Sequence, residues 1–143
     1  MKRILVSACL IGCLTRYDTA QKINPKLMKM AEDPDVVLIP VCPEQLGGLP
    51  TPRKPSERQQ GNDRVLNDQS ADMTREYRRG AEETLKIARL CRVDYAILKG
   101  GSPSCGCGQI YDGTFSGKKI PGDGVTTEYL KANGIRVICD EDL

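Results

Sequence analysis

The sequence predicts an α/β fold: a Rossmann-like, three-layer α/β/α domain with a mostly parallel central sheet of about four or five strands. Three observations predict it. Short, continuously apolar runs such as Ile4-Leu5-Val6-Ser7-Ala8 and Val36-Val37-Leu38-Ile39-Pro40-Val41 have the composition of strands covered on both faces. Helical patterns alternate with these runs, and right-handed crossovers between such units make the strands parallel. At 143 residues the chain fits a single domain, 1–143, with no repeat or low-complexity segment dividing it.

The first strand covers 4–8 and ends in Cys9-Leu10-Ile11-Gly12-Cys13. Met1-Lys2-Arg3 ahead of it looks like the start of a secretion signal, but the apolar run is about five residues where a signal needs roughly 7–15. Asn24 is placed to N-cap a short helix with Pro25 in its first turn, and Asp33-Pro34 ends that helix. The second strand, 36–41, runs into Cys42-Pro43-Glu44-Gln45-Leu46-Gly47-Gly48. From 49 to 69 the chain is polar and aperiodic, a long surface loop of the kind that forms a lid, with a brief strand at 64–66.

A long helix over 71–91 follows, with Ser70 as N-cap. Met73, Tyr77, Ala81, Leu85 and Ala88 make its apolar stripe, Cys91 packs on that stripe, and Glu82 pairs with Lys86 on the outer face. A third strand, 95–98, leads into Lys99-Gly100-Gly101-Ser102-Pro103-Ser104-Cys105-Gly106-Cys107-Gly108, a glycine-rich loop that turns tightly and approaches a ligand closely. Residues 109–118 read as a small hairpin, 126–132 as a helix closed by Asn133-Gly134, and 135–139 as the last strand, with Cys139 in the packing.

Composition narrows the function. With no histidine, the chain has neither a Ser-His-Asp nor a Cys-His pair and no His-ligated zinc. A net charge of +2, one Phe and no Trp provide neither the field nor the stacking platforms of a nucleic-acid-polymer binder. No run approaches the ~18–20 apolar residues of a membrane span. Seven cysteines in a chain able to build its own core suit a cytoplasmic metal or catalytic protein better than a disulfide-stapled secreted one. The expected partner is a small molecule, and the expected state a monomer or homodimer.

In open α/β sheets ligands bind beyond the carboxyl ends of the strands. Cys9 follows the first strand, Cys42 the second, and Cys105 lies in the loop after the third. Parallel neighbouring strands would carry these thiols to one rim. Three thiolates suit a soft metal centre, zinc or iron–sulfur. On a four-iron cluster they leave one iron open as a Lewis acid, whereas Cys13 or Cys107 as a fourth ligand would close it. Glu44 is either a general acid with a pKa raised by an apolar pocket or a cap on the Gly47-Gly48 turn. Ser102 either orients substrate or water, or caps its loop.

Ser7-Ala8-Cys9-Leu10-Ile11-Gly12, Arg16-Tyr17-Asp18, Pro40-Val41-Cys42-Pro43-Glu44, Gly47-Gly48-Leu49-Pro50-Thr51-Pro52-Arg53 and Lys99-Gly100-Gly101-Ser102-Pro103-Ser104-Cys105-Gly106 together resemble the family known as domain of unknown function 523. Its characterised members are thiouracil desulfurases. The likeness runs from the first strand to Gly122-Asp123-Gly124-Val125-Thr126. It implies a [4Fe-4S] cluster held by Cys9, Cys42 and Cys105, with zinc or an empty site in protein purified in air. It also implies catalytic roles for Glu44 and Ser102, and a thiolated pyrimidine such as 2-thiouracil converted without net redox to uracil and hydrosulfide. Arg16, Tyr17 and Ser104, inside the matching segments, are assigned to substrate contact. The chain departs from the pattern at Thr19-Ala20, where glycine is usual, and in the early position of Cys13. The competing readings are a zinc or persulfide carrier domain that uses the same thiols without catalysis, and a phosphate-binding α/β domain.

Overall fold

The computed structural model describes all residues, Met1–Leu143. In chain order the elements are β1 (Lys2–Ser7), α1 (Pro25–Met30), β2 (Val36–Val41), α2 (Pro43–Leu46), β3 (Ser56–Arg58), β4 (Val65–Asn67), α3 (Thr74–Leu90), β5 (Tyr95–Leu98), β6 (Gln109–Tyr111), β7 (Lys119–Pro121), α4 (Val125–Ala132) and β8 (Val137–Cys139). Single 3-10 turns occupy Ala8–Ile11 and Asp140–Asp142. The central sheet runs β2-β1-β5-β8. Every neighbouring pair is parallel, with Ile4 opposite both Leu38 and Tyr95 and Ala96 opposite Val137. This is the four-strand version of the expected architecture. No helix is long and apolar enough to cross a membrane.

Alternate residues of a strand face opposite ways, and β1 divides accordingly. Leu5 packs with Leu85, Ala88, Leu98 and Leu130 beneath α3 and α4. Ile4 and Val6 pack with Leu10, Leu27 and Ile97 on the side of α1. Continuous apolar strands thus satisfy two helical layers at once. Asn24 caps α1 as expected, its side chain accepting from the N–H groups of Lys26 and Leu27.

Five local expectations are corrected. Ser70 does not cap α3: it sits at φ 63°, and Asp72 Oδ1 accepts from Thr74 N at 2.9 Å where the helix starts. Lys86 pairs with Glu83 at 2.8 Å rather than with Glu82. Residues 49–69 are not aperiodic throughout, because β3 and β4 form an antiparallel hairpin there. Cys91 is the half-buried C-cap of α3 instead of a stripe residue, and Cys139 is bonded to Cys107.

The backbones of α2 and α3 touch through two glycines. A Cβ on Gly80 would stand 1.9 Å from the Pro43 carbonyl oxygen, and one on Gly47 1.9 Å from that of Glu76. No side chain can give way there. Gly80→Ala is therefore expected to destabilise the protein by roughly 2 kcal/mol despite alanine's higher helix propensity, which a lowered urea midpoint would show. An unchanged midpoint would contradict the close crossing. Thr19, where the matching pattern usually carries glycine, has φ 62°, a conformation that strains a β-branched residue by about 1–2 kcal/mol. Thr19→Gly should raise the melting temperature, the relieved strain exceeding glycine's entropy cost of roughly 0.5–1 kcal/mol.

Candidate active site at the strand ends

β1, β2 and β5 all point their carboxyl ends at one rim. Cys9 lies in the 3-10 turn directly after β1, Cys42 is the N-cap of α2 directly after β2, and Cys105 lies in the glycine-rich loop after β5. All three line one cavity of about 480 Å³. Arg16, Tyr17, Glu44, Ser102 and Ser104 line the same cavity. Cys13 and Cys107 do not: Cys13 is exposed, and Cys107 is joined to Cys139 at the end of β8.

The three thiols share the cavity without closing on a common point, for no three His, Cys, Asp or Glu side chains converge to chelate a single ion. A cubane takes each cysteine at a different iron. Three cysteine thiols on one cavity are the donor type that such a cluster takes. Burial pushes the Cys9 thiol up to about 11, with Arg16 and Lys99 opposing it. Burial pushes Cys105 up further still. Without metal, both are neutral thiols at pH 7, and ligation must release their protons. Cys42 is half-buried, its Sγ 3.6 Å from the Thr15 carbonyl oxygen and 3.9 Å from Arg53 Nη2.

Glu44 does not cap the Gly47-Gly48 turn, whose N–H groups bond to the Pro43 and Gln45 carbonyls. Tyr77 Oη and Arg53 Nε each donate to Glu44 Oε1 at 2.9 Å. Ser104 Oγ donates to Oε2 at 2.7 Å, and Ser102 Oγ stands 3.4 Å from the same oxygen. The carboxylate and guanidinium side chains are only 13% and 7% exposed, so this is a largely buried ion pair. Burial and the neighbouring carboxylate hold the Tyr77 phenol well above its usual range, which keeps its proton in place to donate.

Ser102 caps its loop and also faces the carboxylate. Its Oγ accepts from the N–H groups of Ser104 and Cys105 at 3.1 Å, which caps the loop, and it also stands 2.9 Å from Ser104 Oγ beside Glu44. Arg16 is paired with Asp18 at 3.1 Å and lies over the Tyr17 ring at 5.5 Å.

Sequence reasoning missed Arg53 and Tyr77 as site residues. Tyr77 was legible only as part of the apolar stripe of α3, although a buried phenol always demands a partner. Arg53 lies inside a matching segment, but nothing local shows that it also donates to the Thr15 carbonyl at 2.9 Å and to Thr51 Oγ1 at 2.8 Å.

A parallel sheet that brings three thiols to one rim, beside a clasped carboxylate, is the arrangement of an α/β protein suited to a thiolate-held metal cluster next to an acid–base group. The chain belongs to the 2-thiouracil desulfurase family, whose model matches residues 4–142. It is 42% identical over 148 residues to YbbK of Bacillus subtilis (strain 168), an uncharacterized protein, with 98% of this chain and 97% of that one covered. The solved structure of the [4Fe-4S]-dependent thiouracil desulfidase TudS superposes with a TM-score of 0.90 at 41% identity, covering 100% of this chain and 93% of that one.

The raised thiol gives a pH dependence of definite sign. A folded-state value near 11 favours the protonated form, so this contribution is intact below the unfolded thiol value of about 8.5 and is lost as pH rises toward 11. Metal-free protein should lose up to about 3 kcal/mol from Cys9 across that window. Urea midpoints should fall less steeply with pH in Cys9→Ala than in the parent, and equal slopes would contradict the burial of this thiol.

Proposed function

We propose that Cys9, Cys42 and Cys105 hold the [4Fe-4S] cluster and that the cavity takes a thiolated pyrimidine such as 2-thiouracil, which is hydrolysed to uracil and hydrosulfide. The observation that carries this reading is the clasped Glu44 facing the same cavity as three strand-end thiols. When bound, the cluster supplies an iron without a protein thiolate, a Lewis acid that draws electron density out of a thiocarbonyl.

The protein's own residues supply the rest. Arg53 and Tyr77 fix Glu44 Oε1, which leaves Oε2 directed at the two serine hydroxyls. From there Glu44 takes a proton from attacking water, either directly or through Ser104 and Ser102. The water oxygen bonds to the ring carbon as the C–S bond breaks. One of its two protons goes to the departing sulfur and the other to Glu44, then to solvent. Sulfur is at the sulfide level before and after, so no electron donor is needed. Arg16 and Tyr17 line the same cavity, and we assign them to substrate contact.

A carrier of zinc or persulfide would have no use for a carboxylate held by four donors, which favours the enzyme. Segment 49–69 contributes Arg53, Ser56 and Glu57 to the cavity, and Gln59 Nε2 donates to the Gly113 carbonyl at 3.0 Å. Those ties support a fixed wall in place of the lid its length suggested.

Glu44→Gln should keep the brown chromophore of anaerobically reconstituted protein and release hydrosulfide from 2-thiouracil about 10²–10⁴-fold more slowly. Full activity in that variant would remove the assignment. Alanine at Cys9, Cys42 or Cys105 should abolish the colour, and alanine at Cys91 should not.

A further inference from the structure

The cavity mouth carries three aromatic side chains, Tyr17, Tyr111 and Phe115, each a little over one-third exposed. Two of the rings already have a cationic partner. Arg16 lies 5.5 Å from the Tyr17 centroid and Lys119 Nζ 5.4 Å from that of Tyr111. Phe115, the only phenylalanine in the chain, has none.

Its backbone is held in an unfavourable conformation. Phe115 has φ 57°, which is rare for a bulky residue and persists only where surrounding structure enforces it. The enforcing group is a buried carboxylate on the neighbouring hairpin. Glu57, 9% exposed on β3, accepts from Gly113 N at 3.0 Å and from Phe115 N at 3.1 Å through a single oxygen, Oε1. Gln59, the residue just after β3, holds the Gly113 carbonyl at 3.0 Å. Within the loop, Thr114 Oγ1 donates to Asp112 Oδ1 at 2.6 Å and stands 2.6 Å from Ser116 Oγ. A strained turn, pinned from outside and braced from within, presents an apolar ring at the cavity mouth.

We propose that Phe115, locked in place by Glu57, is the platform on which the substrate's planar ring stacks, so that it selects aromatic heterocycles over saturated or acyclic thiocarbonyls. This rests on the proposed desulfurase reading and adds the determinant of substrate shape. A pre-set ring costs little entropy on binding, and stacking of a base on an aromatic side chain is sequence-tolerant because every base has a π-face. Discrimination then comes from planarity, while the polar groups around Glu44 act on the reacting carbon.

The test compares uracil with 5,6-dihydrouracil, whose saturated ring is puckered, by calorimetric titration of anaerobically reconstituted protein. The parent should bind uracil at least about tenfold more tightly. Phe115→Leu should erase that preference, and Phe115→Trp should restore it. Glu57→Ala should weaken the preference with Phe115 still present, and adding Phe115→Leu to it should cost little more, because both changes act on one device. In turnover of 2-thiouracil, Phe115→Leu should raise KM by about tenfold with a smaller effect on kcat. A parent with no preference for the planar ring, or a Phe115→Leu variant that retains it, overturns the proposal. A parent that binds uracil selectively but releases no hydrosulfide overturns the desulfurase reading and leaves the stacking platform standing.

Discussion

A buried carboxylate must be surrounded by donors, and much of this molecule is arranged to provide them for Glu44. Replacing a buried ion pair by apolar packing is often neutral or stabilising, so such a pair is weak evidence for stability. Glu44 is instead held by a guanidinium, a phenol and two hydroxyls drawn from three separate parts of the chain. Tyr77 reaches it only because Gly47 and Gly80 let α2 and α3 meet backbone to backbone. Arg53 reaches it from the segment after α2 and at the same time approaches the Cys42 sulfur. The Glu44 carboxylate and the Cys42 thiol are thereby tied to the same side chain.

The parallel sheet supplies the second constraint. Sulfurs separated by long stretches of sequence meet because β1, β2 and β5 are neighbours that all end on one side. Neither Cys13 nor Cys107 joins them, the first being exposed and the second committed to Cys139. A donor set limited to three thiolates is what keeps a cluster chemically open. The polar groups that would act on a bound thiocarbonyl stand on the same face of that opening.

Much of this was legible in the sequence, and the reasons differ by element. β2 is an uninterrupted apolar run and begins and ends where its composition says it should. Cys9, Cys42 and Cys105 were identifiable because a cysteine after each of three strands is a topological signal, independent of any local motif. The start of α3 was misplaced because Ser70, Asp72 and Thr74 are all capping residues, and only the chain's path selects among them. The roles of Tyr77, Arg53 and Glu57 were hidden for another reason: each acts on a backbone or side chain distant in sequence, and no periodicity records that. Thr19 is the converse case, where a departure from the expected glycine marks a backbone angle still suited to glycine.

Iron-57 Mössbauer spectroscopy of the anaerobically reconstituted protein, with and without 2-thiouracil, tests the central claim most directly. The account predicts about four irons per chain, one of them spectroscopically distinct from the other three, and only that one changing when the thiolated base is added. Four equivalent irons that do not respond to the base would show that a fourth protein ligand closes the cluster, and the open-site account would be wrong.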